Sequence, residues 1–183
     1  HPGGAAPPCV RRGAGRGWAV PFDHSATHPA DPDAVLAVLL DETFLRERAD
    51  ALGARVTDVE IVAVEGGHRT TVHLSSPTAG IPPVFARFFG AEVTIVDRST
   101  WSRDGATGHR AVVEVHAQVF GRRAGVTADR RLVAVPDGTR STLTGEASVD
   151  APLIGRQAEA AVRELALVVA RREDEVLRRR LTS

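Results

Sequence analysis

Residues 92–119 read EVTIVDRSTWSRDGATGHRAVVEVHAQV. Val93, Ile95 and Trp101 share one parity before Asp104-Gly105. Ala111, Val113, Val115, Ala117 and Val119 share one parity after it, opposed by Arg110, Glu114, His116 and Gln118. Alternation of this kind marks strands with one buried face. Asp-Gly between two such runs is a hairpin signal, and a turn that short forces antiparallel neighbours. The stretch is therefore a one-faced antiparallel hairpin whose apolar side needs a cover.

Outward from this hairpin the pattern repeats. Upstream, Val59, Ile61 and Ala63 alternate with polar residues, Gly66-Gly67 turns the chain, and Thr70, Val72 and Leu74 continue on one face. Downstream, Gly121 and Gly125 bound a turn, Val126 to Val135 reads as a strand, and Pro136-Asp137-Gly138 turns again. Leu143, Ala147 and Val149 mark a last strand. A first strand, Phe22 to Thr27, lies between Pro21 and Pro29. Asp31-Pro32-Asp33 then starts a helix through Val35, Leu36, Leu39 and Leu40, with an Asp cap and Pro at the first helical position. Asp41 starts a second helix through Phe44, Leu45, Ala49 and Leu52, stopped at Gly53. Between two strands, Pro77 to Pro83 breaks the alternation, and Val84 to Phe89 reads as one or two helical turns closed by Gly90.

The chain ends in a long helix from about Pro152 to about Arg180, with an apolar stripe of Ile154, Ala158, Ala161, Leu165, Val168 and Val169. Such a helix is about 43 Å long, while a ten-residue strand spans about 33 Å. Its first half is expected to pack on the sheet and its last turns to project into solvent. Eight of the last thirteen residues are charged. Glu173-Asp174-Glu175 and Arg178-Arg179-Arg180 therefore read as a solvated, ion-paired helix end.

The 183 residues are 43% hydrophobic and 25% charged, which excludes a disordered or collagen-like chain. The longest apolar run, Ala34 to Leu40, is far short of the roughly 18 residues of a membrane span. A cytoplasmic, single-domain protein is expected. All the basic residues are arginine, and Lys, Met, Tyr and Asn are absent. GC-rich codon usage accounts for this, since the arginines are scattered through every segment. Schiff-base chemistry and a tyrosine acid are thereby excluded. Residues 1–19, rich in Gly, Pro and Arg, read as a flexible tail, with Val20 the expected start of the domain and the one thiol, Cys9, inside the tail. Without the tail the net charge is −3, which argues against nucleic acid as a partner.

The order of elements is strand, two short helices, six strands and one long helix: an α+β chain with a seven-stranded antiparallel sheet around a C-terminal helix. It resembles the START-like (SRPBCC, helix-grip) superfamily, and within it an actinobacterial family of unknown function. The resemblance rests on Pro21-Phe22-Asp23-His24-Ser25, Phe44-Leu45-Arg46-Glu47-Arg48, the Pro83 to Gly90 segment, Trp101 and Pro152-Leu153-Ile154-Gly155, and covers about residues 20–183. It implies a hydrophobic cavity between sheet and last helix that holds a lipid-like or polycyclic molecule.

The expected wall residues are Val72, Leu74, Ile95, Trp101, Val113 and Val115 from the strands, with Leu165 and Val168 from the helix. Phe85, Phe88 and Phe89 would form either a plug at one end of the core or a portal hinged at Gly80 and Gly90. Trp101 alternatively packs at the sheet rim. Three polar groups are candidates for the interior. Asp97 shares the inward parity of Ile95. Of Arg130 and Arg131 one must face inward, paired with Asp129, Glu146 or a ligand carboxylate. His24 lies on the first strand, four residues from His28. In an extended segment those two histidines stand about 13 Å apart and are not expected to share an ion. The remaining histidines, His68, His73, His109 and His116, show no ligand spacing, and no nucleophile elbow is present. No metal, cofactor or catalytic residue is assigned. The leading function is binding of a small hydrophobic ligand as carrier or sensor. A cyclase or hydratase acting on a polyketide-like substrate, with Asp97, Arg130 and His24 as its polar groups, is the first alternative. A partner-interaction protein with a filled core is the second. Monomer and homodimer both remain open.

Overall fold

Gly138 follows the two-residue turn Pro136-Asp137 with φ of 141°, and a Cβ there would sit 2.0 Å from the carbonyl oxygen of His28. Only glycine fits that approach, which packs the last hairpin against the end of the first strand. The computed structural model describes residues 18–77, 92–119, 122–149 and 156–183. Within them the strands are β1 (Trp18–His28), β2 (Arg55–Val64), β3 (Gly67–Pro77), β4 (Glu92–Asp104), β5 (Gly108–Val119), β6 (Arg122–Val135) and β7 (Gly138–Val149). The helices are α1 (Pro32–Leu39), α2 (Glu42–Ala51) and α3 (Arg156–Thr182).

The seven strands form one antiparallel sheet in the order β1-β7-β6-β5-β4-β3-β2. This is the helix-grip arrangement. Trp101 lies opposite Ala111, which lies opposite Arg130, then Leu143, then His24, so these five residues form one row across the sheet. The parities read from the sequence hold: Val93, Trp101, Ala111, Leu132 and Ala147 are buried. Two boundaries differ. The first strand begins at Trp18, two residues inside the stretch read as a tail, because Trp18 and Ala19 pair with Val149 and Ser148. Gly125 does not bound a turn: it sits inside β6 opposite His116. The portal segment with Gly80, Phe85, Phe88, Phe89 and Gly90, and the helix opening at Pro152, lie outside the described residues.

Both short helices start where side-chain caps place them. Asp31 accepts from the Ala34 amide at 2.8 Å and Asp41 from the Phe44 amide at 3.0 Å. Loss of a single such cap costs about 1 kcal/mol. Asp31→Ala is expected to lower the unfolding free energy by that amount, read as a lower urea midpoint with an unchanged slope. A midpoint equal to wild type would mean that packing of Val35 and Leu39 alone sets the start of α1.

The main core joins Val35, Leu39, Phe44, Leu45 and Ala49 of α1 and α2 to Val72, Trp101, Ala111 and Leu132 of the sheet and to Val176 and Leu177 of α3. A smaller cluster joins Phe22, Ala128 and Ala147 to Val162 and Ala166 of α3. The first half of the long helix thus packs on the sheet as expected, but the other half of the expectation is overturned. The last turns of the helix do not project. Ala170, Asp174, Val176 and Leu177 are buried there, whereas Leu165, Val168 and Val169 are 37–41% exposed. The reason is the position of α1 and α2, which supply an apolar surface for the C-terminal half of α3. The acidic block is divided accordingly: Glu173 and Asp174 turn inward, and Glu175 pairs with Arg172 at the surface. Arg180 reaches Asp41 and Glu47 and ties the helix end to α2. No helix among the described residues is long and apolar enough to cross a membrane.

Candidate functional site

A layer of charged side chains lies between sheet and helix. On α2, Arg48 occupies the face that also carries Phe44, Leu45 and Ala49, so the helix directs a guanidinium into the interior. Its Nη1 donates to Glu173 Oε2 and its Nη2 to Asp97 Oδ2, each at 2.8 Å. On β6, Arg130 points inward between Ala128 and Leu132, donating to Glu173 Oε1 and, through Nε, to Ser141 Oγ at 3.3 Å. Glu173 thus takes one guanidinium on each oxygen. Beside it, Asp174 takes one imidazole on each oxygen: His24 Nε2 against Oδ2, and His28 Nε2 at 3.3 Å from Oδ1.

The electrostatics follow from this arrangement. Burial opposes the Glu173 charge, but Arg130 and Arg48 outweigh it and hold its pKa down to about 2. Burial likewise opposes the Asp174 charge, and the close imidazole of His28, the hydrogen bond with His24 and the charge of Arg130 overcome it, so its pKa also falls. Asp97 goes the other way. Burial raises its pKa, and the attraction of Arg48 only partly offsets that. Burial also works against the Arg48 cation, but Asp97 and Glu173 prevail and its pKa rises. A buried ion pair with both partners well bonded is tolerated in this way, whereas an unpaired member is costly.

Of the polar residues expected inside, all three face inward, and the network connects them: Asp97 through Arg48 to Glu173, Arg130 to Glu173, and His24 to the adjacent Asp174. Two expectations about their partners are corrected. Arg130 pairs with Glu173 of α3, not with Asp129 or Glu146, since Asp129 is occupied by Arg110 on the outer face. His24 and His28, although four residues apart on a strand, share one group, because the two oxygens of Asp174 span the gap between the rings. His28 is fully buried, and neither its Nδ1 nor its Nε2 finds a hydrogen-bond partner among the described residues, so the 3.3 Å approach of Nε2 to Asp174 Oδ1 is a charge contact only. Those residues contain no group of three or more His, Cys, Asp or Glu side chains arranged to hold a metal ion. Elsewhere, buried His109 bonds Asp33 at 2.7 Å and helps pin α1 to β5.

The wall candidates fall into two groups. Val72, Leu74 and Trp101 are buried in the main core, with Ile95 and Val113 packed against it. Val115 is partly accessible and, among the described residues, belongs to neither of these apolar clusters, although it faces inward. Leu165 and Val168 are more exposed than any of these. The interior thus has a filled end, around Trp101, Ala111 and Leu132, and a stretch around Val115 and Val126 that is more accessible although Val72, Val93 and Ala147 beside it are buried. Asp97, four residues from Trp101 along β4, stands at the transition and retains 17% side-chain exposure. The strands β3, β5 and β7 all end at the accessible side, whereas tight turns close the other.

Sequence reasoning missed Arg48, Glu173 and Asp174. The signal for Arg48 was its place on the apolar face of α2. The signal for the acids was the spacing of Ala170, Asp174, Leu177 and Leu181, which keeps Asp174 in the buried stripe and puts Glu173 at its edge.

Three solved structures illustrate what the fold is similar to. An uncharacterized protein from Rhizobium leguminosarum has a TM-score of 0.59 at 12% identity, with 91% of this chain and 96% of that chain covered. A conserved protein from Geobacillus kaustophilus has a TM-score of 0.59 at 13% identity, with 89% and 95% covered. A protein from Thermus thermophilus has a TM-score of 0.55 at 19% identity, with 88% and 97% covered. At such identities the likeness shows the fold alone. No curated protein matches the chain. Residues 23–181 match the family described as "Protein of unknown function (DUF2505)", and the chain belongs to that family.

Proposed function

We propose that the accessible half of the grip binds a small hydrophobic ligand, lipid-like or polycyclic, and that the protein acts as its carrier or sensor. The observation that carries this reading is Val115. It is an inward-facing valine on a central strand, yet it is partly accessible and, among the described residues, packs into neither of these apolar clusters. Ile95, Val113 and Val126 on the same face are likewise only partly buried. Apolar surface left unburied beneath a covering helix favours an apolar occupant. Phe85, Phe88 and Phe89 are proposed at its entrance.

Native mass spectrometry of the protein purified gently from its own host tests this reading. An adduct of a few hundred daltons is expected on the wild type. Val115→Trp, which fills the space, is expected to weaken its affinity about tenfold, equivalent to about 1.4 kcal/mol, and so to lower its occupancy. A clean apo mass together with no uptake of the neutral dye Nile red would overturn the proposal.

A second reading is an acid–base enzyme of the cyclase or hydratase kind in the same space. It is favoured by the convergence of titratable groups, in particular His24, which is oriented by Asp174 and keeps 20% side-chain exposure. A partner-interaction role with a filled core fits the Trp101 end of the interior and not the Val115 end.

A further inference from the structure

The charged layer is unevenly balanced. Two guanidiniums, Arg48 and Arg130, face three carboxylates, Asp97, Glu173 and Asp174. With both imidazoles neutral the layer carries one net negative charge, and a proton on His24 or His28 brings it to zero. It turns positive only when both rings are protonated. An anion entering the grip therefore meets no net attraction unless both rings carry a proton.

The three acids are also unequally served. Each oxygen of Glu173 receives a guanidinium, and each oxygen of Asp174 faces an imidazole. Asp97 accepts one hydrogen bond, on Oδ2 from Arg48, and its Oδ1 accepts none among the described residues. Asp97 is also the acid at the edge of the accessible half, beside Val115 across the β4–β5 ladder. Burial without full compensation raises its pKa, so a donor brought to Oδ1 is rewarded. Arg130, the other inward candidate, is committed to Glu173 and Ser141.

Resting on the ligand-binding reading above, we propose that the ligand is amphipathic, presents a hydrogen-bond-donating head (a hydroxyl or a protonated amine) to Asp97, and that a carboxylate head is rejected. Discrimination arises from both terms: a donor completes Asp97, while a carboxylate adds an unpaired charge to a layer with no net positive charge to receive it.

Displacement of Nile red from the full chain by dodecylamine, dodecanol and dodecanoic acid at neutral pH tests this, since the three share one apolar tail. The amine and the alcohol are expected to displace the dye at concentrations about tenfold below the acid, a difference of about 1.4 kcal/mol. Asp97→Asn is expected to narrow that gap to about threefold or less. The wild-type comparison stands by itself if the variant does not fold. Dodecanoic acid binding as well as the amine would overturn the head-group inference and leave the cavity in place. A gap unchanged in a folded Asp97→Asn would overturn the assignment to Asp97. Failure of Nile red and all three displacers to bind would overturn the cavity reading itself.

Discussion

Glu173→Ala is expected to destabilise the fold by about 3 to 5 kcal/mol, the range for breaking a buried ion pair from one side. Among the described residues the carboxylate is the only group bonded to both Arg48 and Arg130. Removing it leaves two guanidiniums in the interior, one holding Asp97 and the other holding only Ser141. The cost arises mainly from the stranded charge, because a hydrogen bond alone contributes about 1 kcal/mol net. The proper control removes the charges together. A triple variant with Glu173→Leu, Arg48→Met and Arg130→Met is expected to recover much of the loss, since apolar replacement of a buried ionic cluster is often neutral or better. Urea denaturation at neutral pH reads both. A loss below about 1 kcal/mol for Glu173→Ala would mean that water already reaches the layer and solvates the arginines.

The fold was legible because its signals are local. Alternation along Val93 to Trp101 and Ala111 to Val119, and the turns at Gly66, Asp104-Gly105 and Asp137-Gly138, each act over a few residues. Antiparallel pairing by short turns then leaves few topologies to choose from. The inward direction of Asp97 followed from the same parity, whereas alternation required only that Arg130 or Arg131 face inward and placed His24 no further than on the first strand. The partners of these residues did not follow from it. Arg48 is 49 residues from Asp97, and Glu173 is 43 from Arg130. No pattern in a single chain announces a pairing at that distance.

The long helix was misread for a related reason. A charged residue at a buried, paired position contributes the same letter as one on a solvated face. Ala170, Leu177 and Leu181 carried the buried period, but Glu173 and Asp174 between them masked it. The apolar stripe of Leu165, Val168 and Val169 drew attention to the half of the helix that is in fact more exposed. His24 and His28 were separated by backbone spacing alone. Side chains converging on a two-oxygen acceptor close a gap that Cα positions leave open.

Titration of this layer sets the second large expectation, a loss of stability in acid. Glu173 has a folded pKa of about 2 against an ordinary value of 4.5. A depressed pKa contributes stability that is fully present above the unfolded value and disappears as pH falls through the folded value. The window is therefore from about pH 4.5 down to about pH 2, and the amount is on the order of 3 kcal/mol. Asp174, also lowered, adds in the same direction. Asp97 opposes them. Its raised pKa means that the fold binds its proton more tightly than the unfolded chain does, so acidification relieves a cost there. Urea midpoints measured along a pH series separate these contributions. Glu173→Gln is expected to be weaker than wild type at neutral pH and flatter through the acid window, so that the two curves converge as pH falls. Asp97→Asn is expected to lose stability more steeply than wild type as pH falls toward the ordinary carboxylate value of 3.8, below which Asp97 is protonated in both states and the slopes agree. Parallel curves for wild type and Glu173→Gln would show that the carboxylate does not hold its charge between the two arginines, and that the acid limb is generated elsewhere in the chain.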